Sequence, residues 1–106
     1  MKTTPFLASF FAAALAVQMS GRILTPNGDG INDAVAFHLA EPAESSLRSV
    51  VYDVRGRHVA DLAMVSPGQW RWDGRDSSGR VVESGVYLVQ ISQDASLWSG
   101  VVAVAK

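Results

Sequence analysis

The chain has 106 residues, enough for one domain, and carries a formal net charge of −1. Charges of both signs are scattered without a basic or acidic block, so nothing points to nucleic acid or an anionic membrane surface as a partner. Cysteine is absent, which excludes a disulfide, a thiol nucleophile and a lipid-modified N-terminal cysteine.

The apolar run Phe6 to Val17, FLASFFAAALAV, follows Lys2 and contains Ala14-Leu15-Ala16, an A-x-A pattern. It reads as a secretory signal peptide over 1–16, cut after Ala16, with 17–22 as a short leader. The run is well short of the roughly 20 residues that span a bilayer, so no membrane span is expected after cleavage. The folded domain is expected over 23–106, and its location is read as exported: periplasm, cell surface or extracellular space. A domain of that size buries a modest share of its surface. It must lean on a well-filled core, a bound ion or attachment to something larger.

The stretch TPNGDGIND, Thr25 to Asp33, concentrates turn and oxygen chemistry. Beyond it the segments are short, rich in Val, Tyr, Trp and Phe, and divided by Gly, Pro, Asp and Ser. Ala34 to Leu39 alternates, with Val35, Phe37 and Leu39 on one face and His38 opposite. The sequence 41–46, EPAESS, reads as a connection between sheets. Leu47 to Val54 has apolar residues on both faces, as a strand covered on both sides would. Asp53-Val54-Arg55-Gly56-Arg57 is a turn with Gly56 suited to positive φ, and His58 to Met64 continues as a second strand.

After the turn Ser66-Pro67-Gly68, Gln69 to Trp72 places Trp70 and Trp72 on one face and Arg71 on the other. Asp73-Gly74 closes that strand. Asp76-Ser77-Ser78-Gly79 is another tight turn, followed by the short run Val81-Val82. Gly85 opens a strong strand to Ser92 with Tyr87, Val89 and Ile91 on one face. Leu97 to Ala105 ends the chain with Trp98, Val102 and Val104 together. Six or seven short strands with turn signals about every ten residues predict an all-β sandwich.

Four landmarks come in order: TPNGDGIND; VYDVRGRHV from Val51 to Val59; WDGRDSSGRVV from Trp72 to Val82; and SGVYLVQI from Ser84 to Ile91. Together they resemble the C-terminal Ig-like domains of secreted bacterial proteins. Two related groups fit. One is the gliding-motility-associated C-terminal domain, the type B sorting domain of type IX secretion. The other is the Ig-like domain of the flagellar hook-capping (FlgD-type) family. The resemblance spans about 23–106 and implies an Ig-like β-sandwich of about seven short antiparallel strands with no catalytic role. For sorting domains it implies recognition by the secretion machinery or an envelope protein, often with cell-surface attachment. Such domains normally close a large protein. Here the apolar leader runs almost directly into the domain, so either the module works alone or the sequence is a piece of something longer.

Two site readings accompany this. Calcium loops place oxygen ligands at alternate positions with glycine at the sixth. Taking Gly30 as that glycine puts Thr25, Asn27 and Asp29 at the first, third and fifth positions. Ile31 then offers its carbonyl, and Asp33 falls at the ninth. Position twelve is Ala36, so the bidentate glutamate is missing and the site would be weak. The alternative is a structural turn in which Asn and Asp side chains accept backbone N–H groups.

The second reading makes Trp72-Asp73-Gly74 a platform for a glycan, with Trp70 and Trp98 as further exposed aromatics. The alternative puts Trp72 in the core and gives Asp73 the backbone donors of the next turn. Gly85 and Tyr87 read as the start of a central strand, with the Tyr87 hydroxyl bonded to backbone like the tyrosine corner of Ig folds. His38 and His58 are separated and lack a nucleophile context, so an enzyme is not expected. The competing function is a stand-alone adhesion or carbohydrate-binding module stabilised by calcium.

Overall fold

The computed structural model describes residues 16–39, 47–93 and 96–106. The apolar run read as a signal peptide, apart from its last two residues, and the 41–46 connection lie outside them. Nine strands are present among the described residues: β1 (Val17–Met19), β2 (Ile23–Leu24), β3 (Val35–Leu39), β4 (Arg48–Tyr52), β5 (His58–Asp61), β6 (Ala63–Ser66), β7 (Gln69–Trp72), β8 (Gly85–Gln93) and β9 (Ser96–Val104). They form two sheets, one ordered β1-β3-β7-β6 and the other β2-β9-β8-β4-β5. This is the expected all-β sandwich.

Alternation along the strands builds its interior. In β3 the residues Val35, Phe37 and Leu39 are buried while Ala36 and His38 are exposed. Register sets Val35 beside Trp72 and Phe37 beside Trp70, so one face of this sheet is a continuous apolar surface. The other sheet answers with Val51, Tyr87, Val89, Ile91, Val102 and Val104. Each large apolar side chain buried this way contributes about 1.5–3 kcal/mol. Two edge-to-face ring contacts join the sheets: Trp72 on Tyr87 at 5.4 Å between centroids, and Phe37 on Trp98 at 6.0 Å. No polar side chain is buried among the described residues.

Four sequence expectations change. The supposed leader over 17–22 contains β1, which pairs with β3 because Val17 and Met19 turn apolar side chains toward the core. The strands are not all antiparallel, since β2 runs parallel to β9; a two-residue strand is too short to show alternation. The single strand expected over 58–64 is two strands in different sheets, changing over at Leu62. Leu62 is buried and its N–H donates to the Ser49 carbonyl at 3.0 Å, so the crossing point is pinned. The run Val81-Val82 makes only an isolated bridge, Val81 to Arg75.

β4 matches its expectation of cover on both sides, with Val50 and Val51 both buried.

Candidate functional site

The four sequence landmarks meet at one end of the sandwich. There β2, β4, β7 and β9 finish and β3, β5 and β8 begin, as the pairs Leu24–Val104, Tyr52–His58, Val35–Trp72 and Gly85–Val104 show.

TPNGDGIND carries the chain from β2 in one sheet to β3 in the other. Its side chains are aimed at its own backbone. The Asp33 carboxylate accepts Gly28 N–H at 3.0 Å and Gly30 N–H at 2.6 Å, one on each oxygen. Asn27 Oδ1 accepts from Asp29 N–H and Asp29 Oδ1 from Ile31 N–H. The Thr25 hydroxyl donates to the Ile31 carbonyl, and Thr25 N–H donates to the Asn32 carbonyl. Gly28 and Gly30 sit at φ of 79° and 83°, which the tight path requires. Of the oxygens aligned with calcium-loop positions after the first, Asn27 Oδ1, Asp29 Oδ1, the Ile31 carbonyl and both Asp33 oxygens already serve the loop's own donors. Among the described residues no group of three acidic or imidazole side chains is gathered to hold a metal. This donor set fits a turn that satisfies itself better than a cation cage.

WDGRDSSGRVV stitches the two sheets together. Trp72 is buried, and its Nε1 donates to the Arg75 carbonyl at 2.9 Å. Asp73 accepts Arg75 N–H at 3.2 Å, as a turn-forming Asp should. The Arg75 guanidinium then donates to the Gly79 carbonyl at 3.0 Å. Ser77 donates both its N–H and its hydroxyl to the Val59 carbonyl on β5. The turn is thus hydrogen-bonded to Trp72 of β7 in one sheet and to Val59 of β5 in the other. Gly74 is buried at φ 80°, and a Cβ there would lie 2.5 Å from Leu24 Cδ2 and 3.4 Å from Pro26 Cγ. Gly74 is where the first and third landmarks touch.

Two turns share one construction that sequence reading missed. In Asp53–Arg57 and again in Asp76–Arg80 the pattern is D-x-x-G-R. In both, Asp N–H donates to the Arg carbonyl and Gly N–H to the Asp carbonyl. In both, the Asp Oδ1 accepts the N–H groups two and four residues on. Gly56 and Gly79 supply φ of 81° and 89°. The repeated spacing was the available signal. The Arg57 N–H, the largest influence, holds the Asp53 carboxyl below its ordinary value. For Asp76 the Ser78 hydroxyl does most, followed by the Arg80 N–H.

Between these turns lies an open cleft of about 600 Å³ whose lining includes Arg57, His58, Arg80, Glu83 and Tyr87. The Tyr87 hydroxyl donates to the Glu83 carbonyl at 2.7 Å, the backbone bond expected of it. Burial raises the Tyr87 phenol pKa, with the charges of Asp53 and Glu83 acting the same way, so it stays a neutral donor. Its ring meanwhile packs on Trp72. Gly85 opens β8 with open space around its Cβ position, so packing does not demand glycine there.

The aromatic platform is not formed. Trp70 and Trp72 are both in the core, because they share the face that β7 turns inward. Trp98 is half-buried against Phe37. The histidines are apart: His58 contacts Asp61 at 3.0 Å, and His38 lies on β3 near Gln69 at 3.5 Å.

This arrangement, two sheets tied at one end by short polar crossovers, can be set beside known families. The model of the FlgD Ig-like domain matches residues 21–96. The chain belongs to the FlgD Ig-like domain family. A solved structure of PorZ is also similar. That protein is described as an essential bacterial surface component of the type-IX secretion system of Porphyromonas gingivalis. The likeness has a TM-score of 0.63 at 22% identity, and covers 86% of this chain but 12% of PorZ. At that identity it speaks for the shared fold. No curated protein matches the chain. Among the described residues no helix is long and apolar enough to cross a membrane.

Proposed function

We propose that this FlgD Ig-like domain is a non-catalytic, exported docking module of the bacterial envelope, serving secretion sorting or cell-surface attachment within a type IX pathway. The observation that carries the reading is where polar and apolar groups are spent. The side chains of the landmark turns bond mainly to their own backbone, so their polar groups are spent on shape. The edge strand β6, by contrast, exposes Met64 and Val65 at 63% and 60% and, among the described residues, bonds only to β7. An edge with open backbone groups and apolar side chains is a surface on which another extended chain can dock. Membership of an Ig-like domain family and the likeness to PorZ support the envelope setting.

The test is delivery. Residues 16–106 are fused behind a folded periplasmic reporter in a bacterium that has type IX secretion. The expected result is reporter at the cell surface, reduced when Met64 and Val65 are changed to Lys. A reporter held in the periplasm would overturn the sorting role.

A further inference from the structure

We propose that β1 is an exchangeable strand, and that two copies of this chain form a reciprocal dimer in which each lays its β1 against the other's β3. The strand is three residues long and, among the described residues, lies at a sheet edge and pairs with β3 alone. It is anchored by Val17 and Met19, which pack on the core but remain half-exposed, while Gln18 faces outward. An open surface cleft of about 260 Å³ borders it, lined by Met19, Gly21, Trp98 and Gly100, and Met19 packs toward Gly100. Release of β1 gives up that packing and its pairs with β3, and exchange restores both.

The hinge is equally defined. Ser20 still belongs to the β3 side, its N–H donating to the Ala36 carbonyl and its hydroxyl accepting from Ala36 N–H. Arg22 already belongs to the other sheet, its carbonyl accepting from Ala103 N–H. Only Gly21 lies between, with open space around its Cβ position. Rotation there frees β1 while β2 stays paired with β9.

The occupant follows from complementarity already seen within one copy. The register Val17–Leu39, Gln18–His38 and Met19–Phe37 specifies which sequence the slot accepts, and a second copy carries that sequence. Exchange remakes every one of these pairs and closes symmetrically, so the exchanged form differs from the monomer mainly at the hinge and in the entropy of association. Mass action then makes it the more populated form as concentration rises.

Gln18 and His38 are exposed cross-strand partners, within the roughly 4.4–6.8 Å between Cα atoms that a disulfide spans. The native chain has no cysteine to compete. The full chain carrying Gln18→Cys and His38→Cys is equilibrated over about a hundredfold range of concentration, oxidised, and run on a non-reducing gel. The expected product is a disulfide-linked dimer whose share rises at least severalfold across the range, and which neither single cysteine variant forms to that extent. Intramolecular closure alone at every concentration would overturn the proposal. Sedimentation of the unsubstituted chain serves as the second measurement should the variant not fold. A strict monomer at the highest concentration, or a dimer in which the cysteines still close within one copy, overturns exchange as well.

Discussion

Alanine at Gly74 separates two costs that glycines in turns usually mix. Gly74 and Gly79 both hold left-handed backbone, at φ of 80° and 89°. An alanine at either position pays about 1–2 kcal/mol for that conformation. At Gly79 nothing lies within 4 Å of the added Cβ, so the cost ends there. At Gly74 the Cβ would lie 2.5 Å from Leu24 Cδ2. A side-chain tip can often swing aside, but Leu24 is wholly buried in the core cluster and can move only by displacing its neighbours. Overpacking of this kind adds about 1–3 kcal/mol. Gly74→Ala should therefore be the more destabilising by about that amount, at least roughly 4 °C in melting temperature for a domain of this size. Urea unfolding followed by tryptophan fluorescence gives both values, since Trp70 and Trp72 are buried. Equal losses for the two variants would refute the contact between the WDG turn and Leu24 of β2 as a packing constraint.

Two further perturbations act on the polar end. The folded-state pKa values of Asp53 and Asp76 are lowered from 3.8 by donors in their own turns. The stability they contribute is fully present above that unfolded value and drains as pH falls through the lower folded-state values. Melting temperature should fall as the pH drops below about 4, and Asp53→Asn with Asp76→Asn should flatten that fall; an unchanged acid slope would show that other carboxylates control it. Calcium up to about 10 mM is expected to leave the melting temperature unmoved, because Asn27 Oδ1, Asp29 Oδ1 and both Asp33 oxygens already accept N–H groups. A site in the millimolar class would instead raise stability by roughly 1 kcal/mol at that concentration, and such a rise, lost in Asp33→Ala, would assign the loop to calcium.

How much of this was legible in the sequence depended on whether the signal was local. Alternation made β3, β7 and β8 readable, since Phe37, Trp72 and Val89 each sit in a strand with one buried face. The tyrosine bond was readable because its acceptor, Glu83, lies only four residues away. The pairing of Ile23-Leu24 with the far end of the chain was not, because two residues carry no period and the partner is 80 positions distant. Leu62 was hidden differently. An apolar residue that moves a strand from one sheet to the other looks, in sequence, like one more apolar residue in a strand. The D-x-x-G-R repeat was in plain view at Asp53 and Asp76, but each turn explained itself locally and the shared construction emerged only when their hydrogen bonds were compared.

The loop TPNGDGIND marks the limit of reading by residue type. Asn and Asp at alternate positions beside glycines suit a cation and suit a turn equally, because both need oxygens aimed into a tight bend. What favours the turn is the direction of the Asp33 carboxylate. Its two oxygens face Gly28 and Gly30 N–H, so the negative charge is met by backbone dipoles. The same solution recurs at Asp53 and Asp76. Three aspartates at one end of the sandwich thus hold three turns in shape, and the landmarks that identify the family are the means by which a small domain without disulfides ties its two sheets together. The proposed docking therefore draws on what those turns leave free: the sheet edges and the apolar side chains along them.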